Sequence, residues 1–234
     1  MNIKQSTVNY FLKKPNKWER KSFSQSGEDL IVRFIFDNIG IANPTYLDVG
    51  AHHPFHLNNT AIFYENGSRG INIEPDPQLF TEFQNLRKSD VNLNCGISDI
   101  EGELILNILN VPALNTFSHE EANRLVHENS FEILKKIPVH VDTIGNVLQK
   151  YCNNIFPDFL DIDVEGLDDL IVKSIDFTSA KPIVICLETR SYSETGRGQK
   201  NNEIIQYLTD KGYMDFADTY LNTIFVLKEK WLKN

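Results

Sequence analysis

The chain has 234 residues, with 23 Lys and Arg against 32 Asp and Glu, a formal net charge of −9, and 41% hydrophobic residues. That apolar content suits one α/β domain with short additions, and the negative balance argues against a nucleic-acid backbone as partner. No run of about 18 apolar residues offers a membrane span.

Met1 to Ser6 contain no apolar h-region, and Cys95, Cys152 and Cys186 lie far apart in or beside apolar runs. Both features predict a cytoplasmic chain with reduced thiols. Between Lys4 and Lys21, six basic residues (Lys4, Lys13, Lys14, Lys17, Arg20, Lys21) face Glu19 alone. Residues 1–23 therefore read as a solvated basic arm, with weak contact to a membrane or anionic carrier as the alternative. Residues 24–234 are expected to form one domain.

Ser26 with Asp29 three residues on predicts a capping box, opening a helix that carries Leu30, Ile31, Phe34 and Ile35 and stops at Gly40. Strand 45–49 follows, then a helix over 59–66, strand 70–74, a helix over 77–88 with Pro77 in its first turn, and strand 91–95. Residues 103–109 read as a further strand on the sheet's edge. Residues 110–140 break the rhythm as an insertion covering the site, with a helix opened by Ser118 and Glu121. Strand 158–164, helix 166–175 and the apolar strand 182–188 resume it. A polar loop at 191–200, helix 202–210 and a hairpin from 213–218 and 223–227 close the chain. Alternating strands and helices with a terminal hairpin predict a mostly parallel sheet with an antiparallel edge strand.

Two strand ends carry the chemistry. Tyr46-Leu47-Asp48-Val49-Gly50-Ala51 ends in a glycine turn, and Gly70-Ile71-Asn72-Ile73-Glu74 ends on a carboxylate. In doubly wound sheets ligands bind outside the carboxyl ends of the strands. A glycine there lets backbone approach a cofactor, and an acid about 20 residues onward accepts from ribose hydroxyls. After Gly50 come Ala51, His52, His53 and Pro54, which crowd the space a pyrophosphate needs. A nucleoside without phosphates, such as the adenosine of S-adenosylmethionine (SAM), fits better than a dinucleotide.

Ser24-Gln25-Ser26-Gly27-Glu28-Asp29-Leu30, Leu47 to Pro54, Ile73-Glu74-Pro75-Asp76-Pro77 and Leu160-Asp161-Ile162-Asp163-Val164-Glu165-Gly166 together resemble the FkbM family of methyltransferases. The resemblance implies a Rossmann-like class I methyltransferase fold with a mostly parallel seven-stranded sheet and an antiparallel C-terminal edge strand. It implies SAM as cofactor and O-methylation of a saccharide or activated sugar precursor. An NAD-type oxidoreductase or sugar-nucleotide epimerase, and a non-catalytic SAM-binding module, stay open as alternatives.

Gly50 and Ala51 are expected beneath the methionine part of SAM, with Asp48 orienting that loop or accepting from the amino group. Glu74 is expected to hold the ribose, and Gly96, Ile97 and Ser98 to lie at the adenine edge. Gln25 and Glu28 are placed at the amino-acid end. Asp163 either binds the ammonium or acts as general base, with Glu165 beside it and His53 as a second candidate base. His52, His53 and His56 with Asp163 and Glu188 form a weaker metal reading, and no metal site is expected. Arg190 and Arg197 are candidates to grip an anionic group on the acceptor, or are surface arginines.

Overall fold

A computed structural model describes residues 18–128, 131–178, 181–190 and 198–233. Lys4, Lys13, Lys14, Lys17 and Arg197, named above, lie outside those residues, as does most of the 191–200 loop.

In chain order the elements are α1 (Glu28–Ile39), β1 (Tyr46–Val49), α2 (Ala61–Glu65), β2 (Gly70–Ile73), α3 (Pro77–Leu86), β3 (Val91–Leu93), β4 (Gly96–Ile97) and β5 (Gly102–Leu109). After a 3₁₀ turn (Pro112–Leu114) come α4 (His119–Glu128), β6 (Ile133–Asp142), α5 (Ile144–Tyr151), β7 (Phe159–Ile162), α6 (Asp168–Ser174) and β8 (Val184–Glu188). The chain closes with α7 (Asn202–Asp210), β9 (Tyr213–Asp218), β10 (Asn222–Leu227) and α8 (Lys228–Trp231).

Seven strands form the main sheet in the order β3-β2-β1-β7-β8-β10-β9. The first five of these run parallel, while β10 is antiparallel to both β8 and β9. This is the mostly parallel sheet with antiparallel edge strands that the sequence predicts. Strand alternation divides the apolar residues between two cores. Leu47 and Val49 of β1, Ile73 of β2 and Leu160 of β7 pack with Val147 of α5, Ile171 of α6 and Ile204 of α7. Tyr46, Phe159, Val184 and Ile224 face the other way, onto Val32, Ile35 and Phe36 of α1 and Phe63 of α2. From β1 the chain builds outward to β2 and β3, then returns to add β7 on the opposite side. The switch point between β1 and β7 is where such sheets open a crevice.

Two expectations require correction. Residues 103–109 do not edge the main sheet: β5 pairs antiparallel with β6 in a separate three-stranded sheet, β4-β6-β5. Ile137, Val139 and Val141 of β6 do alternate with Pro138, His140 and Asp142, but Lys135 and Lys136 and a largely exposed first half obscure the strand's length. Nor is there a capping box at Ser26. The residue before α1 is Gly27 at φ 93°, with no side-chain cap. Asp29 turns back instead and accepts from Phe23 N at 2.7 Å, Ser22 Oγ at 2.7 Å and Ser24 Oγ at 2.9 Å, tying the preceding segment to the helix.

Candidate active site

Two adjoining cavities open at the carboxyl ends of β1, β2 and β7. The larger, about 300 Å³, is lined by Gln25, Asp48, Asn58, Asn59, Asp161 and Glu188 among others. The smaller, about 40 Å³, runs along Ile73, Glu74, Gly96, Ile97, Leu106 and Phe117. Gly50, His52, Ala113, Asp163 and Glu165 line both, so the two are chambers of one cleft.

Glu74 follows β2 and is buried. One carboxylate oxygen accepts from His52 N at 2.8 Å and the other from Asp76 N at 2.7 Å. Burial nevertheless pushes its carboxyl up to about 8, since the two backbone donors offset only part of the lost hydration and Asp76 and Asp48 add negative charge. A carboxylate has roughly four lone-pair directions, so each oxygen can accept once more from the smaller chamber.

Asp48 is buried beneath the larger chamber. Its Oδ2 accepts from Thr60 Oγ1 at 2.6 Å and Asn58 Nδ2 at 3.0 Å, and the same Asn58 amide donates to Ala51 O at 3.0 Å. Asp48 is thereby tied to the loop through Asn58 and Thr60. The support runs deeper. Arg87, fully buried, donates to Asn58 Oδ1, Thr60 Oγ1 and the Tyr46 hydroxyl and pairs with Asp90 at 3.0 Å. Nothing in the local pattern around Arg87 marks it; only the packing of α3 beneath β1 brings it there.

Gly50 has φ 81°, and a Cβ on it would collide with the Asp163 carbonyl oxygen. The glycine is thus required by the close approach of the β1 and β7 ends rather than by room for a ligand. Ala51, buried, also lines the larger chamber.

Beyond β7 the three alternate carboxylates separate. Asp161, still in the strand, is buried against Asn59 Nδ2 at 3.1 Å, and burial with the nearby Asp48 charge holds its carboxyl well above the usual range. Asp163 faces the open cleft, yet protein surrounds it; burial, then Asp168, Asp48 and Glu28, push it up to about 7. Glu165 sits at φ 52°, followed by Gly166 at φ 99°, and this turn swings its side chain toward Asp163 and Glu188.

Other candidates lie elsewhere. Glu28 lines neither chamber; its carboxylate accepts from Ser26 N at 2.8 Å, Thr219 Oγ1 at 2.6 Å and Asn222 Nδ2 at 3.3 Å, joining α1 to the β9–β10 hairpin. Ser98 donates to Asp99 and stands outside both chambers. His53 is also outside, with its Nδ1 accepting from Phe55 N at 3.1 Å. The imidazole facing the cleft belongs to His52, whose buried Nδ1 has no partner; burial and then the His53 and His56 rings press it down to about 4. The three histidine rings stand 6.2–6.5 Å apart.

The segment after β5 covers the cleft. Val111, Ala113, Leu114 and Phe131 line the larger chamber, and a small core of Leu109, Leu114 and Leu125 holds that cover together. Asn115 Nδ2 donates to Asp76 Oδ2 at 3.1 Å, and Thr116 Oγ1 to Glu165 O at 2.6 Å, so the cover is tied to both rims. Arg190 extends from β8 but spends its guanidinium on Tyr220 O at 3.0 Å and Gly198 O at 2.8 Å.

No helix among the described residues is long and apolar enough to cross a membrane. A search of curated proteins gave no match. A crystal structure of methyltransferase FkbM from Methylobacillus flagellatus KT, at 2.20 Å resolution, aligns with a TM-score of 0.46 and 15% identity, covering 79% of this chain and 44% of that one. The chain thus spans less than half the length of that protein. The family model described as the methyltransferase FkbM domain matches residues 48–214, a span that begins within β1 and holds β2, β7, β8 and the cover. The chain belongs to the FkbM methyltransferase family.

Proposed function

We propose that the chain is a SAM-dependent methyltransferase acting on a hydroxyl of a saccharide or activated sugar precursor. The observation that carries the donor half is Glu74, a buried carboxylate with spare lone pairs at the wall of a small chamber that Ile73, Ile97, Leu106 and Phe117 also line. A ribose diol fits such a group, and an adenine edge fits the Gly96–Ile97 side of that chamber. Gln25 and Asp163 then lie where the amino-acid end would extend into the larger chamber, and the acidic lining complements a ligand bearing ammonium and sulfonium charges.

When bound, SAM supplies an electrophilic methyl group. The chain's residues have three tasks: hold the donor in line, exclude water through the cover, and receive the acceptor's proton. For the last, Asp163 and Glu165 are the candidates that line the cleft, while His53 lines neither chamber. The saccharide acceptor follows from family resemblance alone.

The test is thermal unfolding with SAM, S-adenosylhomocysteine and NAD in separate samples. A ligand at about 100 times its dissociation constant adds ~2.7 kcal/mol, a rise of about 5–11 °C at this chain length. A rise with SAM and S-adenosylhomocysteine supports the donor reading; a rise with NAD alone sinks it. Methyl transfer to a panel of saccharides separates an enzyme from a binding module.

A further inference from the structure

Three carboxylates converge where the donor cleft meets a further cavity of about 190 Å³. Asp163, Glu165 and Glu188 each bring an oxygen to within 4.8 Å of the other two. Glu165 and Glu188 also line the further cavity, which Thr189, Arg190 and Asn201 bound on its far side. Among the described residues no hydrogen bond or salt bridge reaches any of the three carboxylates. The cluster is therefore accessible from both sides, with the Arg124 guanidinium favouring the charge on Glu165 from α4.

Its surroundings leave most of the charge uncompensated. Glu121 and Arg124 of α4 face the group, and Arg124 is bound to that same Glu121 through Nε at 2.8 Å and through a second, shorter contact. Asp168 of α6 adds another acid, turned to Val164 N and Gly166 N at 3.3 and 3.2 Å. Arg190 is committed to backbone carbonyls. An independent sign comes from Glu165. Its side chain is buried, aimed into the cluster and unpartnered. An ionised carboxylate there costs several kcal/mol unless a positive partner binds it, and among the described residues none bonds it.

We infer that Asp163, Glu165 and Glu188 hold a divalent cation at the junction of the donor cleft and the acceptor side. An all-oxygen carboxylate set selects a hard ion of the magnesium, manganese or calcium type over zinc, which favours nitrogen and sulfur. The histidines play no part, which departs from both sequence expectations: a histidine-containing site, and no metal site at all. Three carboxylates leave coordination positions free for water or for oxygens of the acceptor. The cation's role in transfer rests on the methyltransferase reading. An acceptor hydroxyl bound to the ion is acidified and held toward the donor methyl. The carbon–oxygen bond forms as the carbon–sulfur bond breaks, and the hydroxyl proton leaves to solvent. The ion then takes over the acidifying task assigned above to a carboxylate alone.

The experiment is a manganese titration of the chelator-treated full chain, read by the electron paramagnetic resonance signal of free Mn²⁺. One ion per chain is expected, displaced by excess Mg²⁺ or Ca²⁺. Glu165→Gln and Glu188→Gln should each weaken binding at least about tenfold. Asp169→Asn, whose partner is Lys173 on the rim, should leave it unchanged. Thermal midpoints of the ion-free variants at or above that of the parent show that they fold, since each removes one of the repelling charges. Absence of saturable uptake by the parent, or equal uptake by both Gln variants, overturns the proposal. So does a midpoint raised by methylammonium but not by Mn²⁺, which would make the cluster a site for an amine. S-adenosylhomocysteine binding in the presence of chelator reports the donor site separately, so failure of either reading is visible alone.

Discussion

If Glu74 receives two ribose hydroxyls, nucleoside binding must release a proton near neutrality. In the free chain its carboxyl is pushed up to about 8 by burial, from an ordinary 4.5. Two hydroxyl donors favour the ionised form and lower that value on binding. The sign follows from linkage: the free site holds more protons than the complex, so affinity rises with pH and levels off above about 8. At pH 6 only about 1% of free sites are ionised, and at pH 8 about half. With the complex back near 4.5, affinity should improve roughly fiftyfold between those pH values, about 2.3 kcal/mol. Adenosine is the probe, because it carries the diol without an amino group that would report on Asp163. Calorimetry in buffers of different ionisation enthalpy should show nearly one proton released at pH 7. Glu74→Gln should bind weakly at every pH and release none. A pH-independent affinity in the parent, or the same pH profile in the variant, would refute the ribose assignment.

Three further outcomes follow from the packing. Arg87→Met removes the partner of the fully buried Asp90 and three donors to the loop support, and should cost about 3–5 kcal/mol in urea unfolding. Adenosine binding should weaken alongside it if Asn58 and Thr60 shift. Gly50→Ala forces a Cβ into the Asp163 carbonyl and a left-handed conformation onto alanine, a loss of roughly 2–5 kcal/mol readable in the same assay. His52 is held neutral down to about 4 against 6.5 unfolded, so the unfolded chain binds more protons between those values. Its contribution is present above pH 6.5 and lost as pH falls through 4. Relative to His52→Gln, the parent should lose up to about 3 kcal/mol across that window; parallel pH profiles would contradict it.

The alternation of short apolar strands with helices, and the carboxylate closing β2, can be read from the residues because both are local. Strand period and strand-end chemistry need no knowledge of neighbours. The same holds for α7 and for the apolar run of β8, whose boundaries nearly match expectation. Long-range placement cannot be read this way. Asp29 has capping-box spacing but turns back to a segment six residues earlier. Residues 102–142 form their own sheet because β5 and β6 pair across more than twenty residues, a pairing that no local pattern announces. His52 and His53 are adjacent in sequence, and only the φ 54° turn at His52 sends one imidazole to the cleft and leaves the other outside. Asp163 follows β7 and Glu188 ends β8, and the parallel pairing of the two strands places their ends side by side. The sequence by itself determined the elements and the donor-type strand ends, because these depend on neighbouring residues. The tertiary structure alone decided which acids share a space and which are already paired, because burial and charge depend on what the fold brings near.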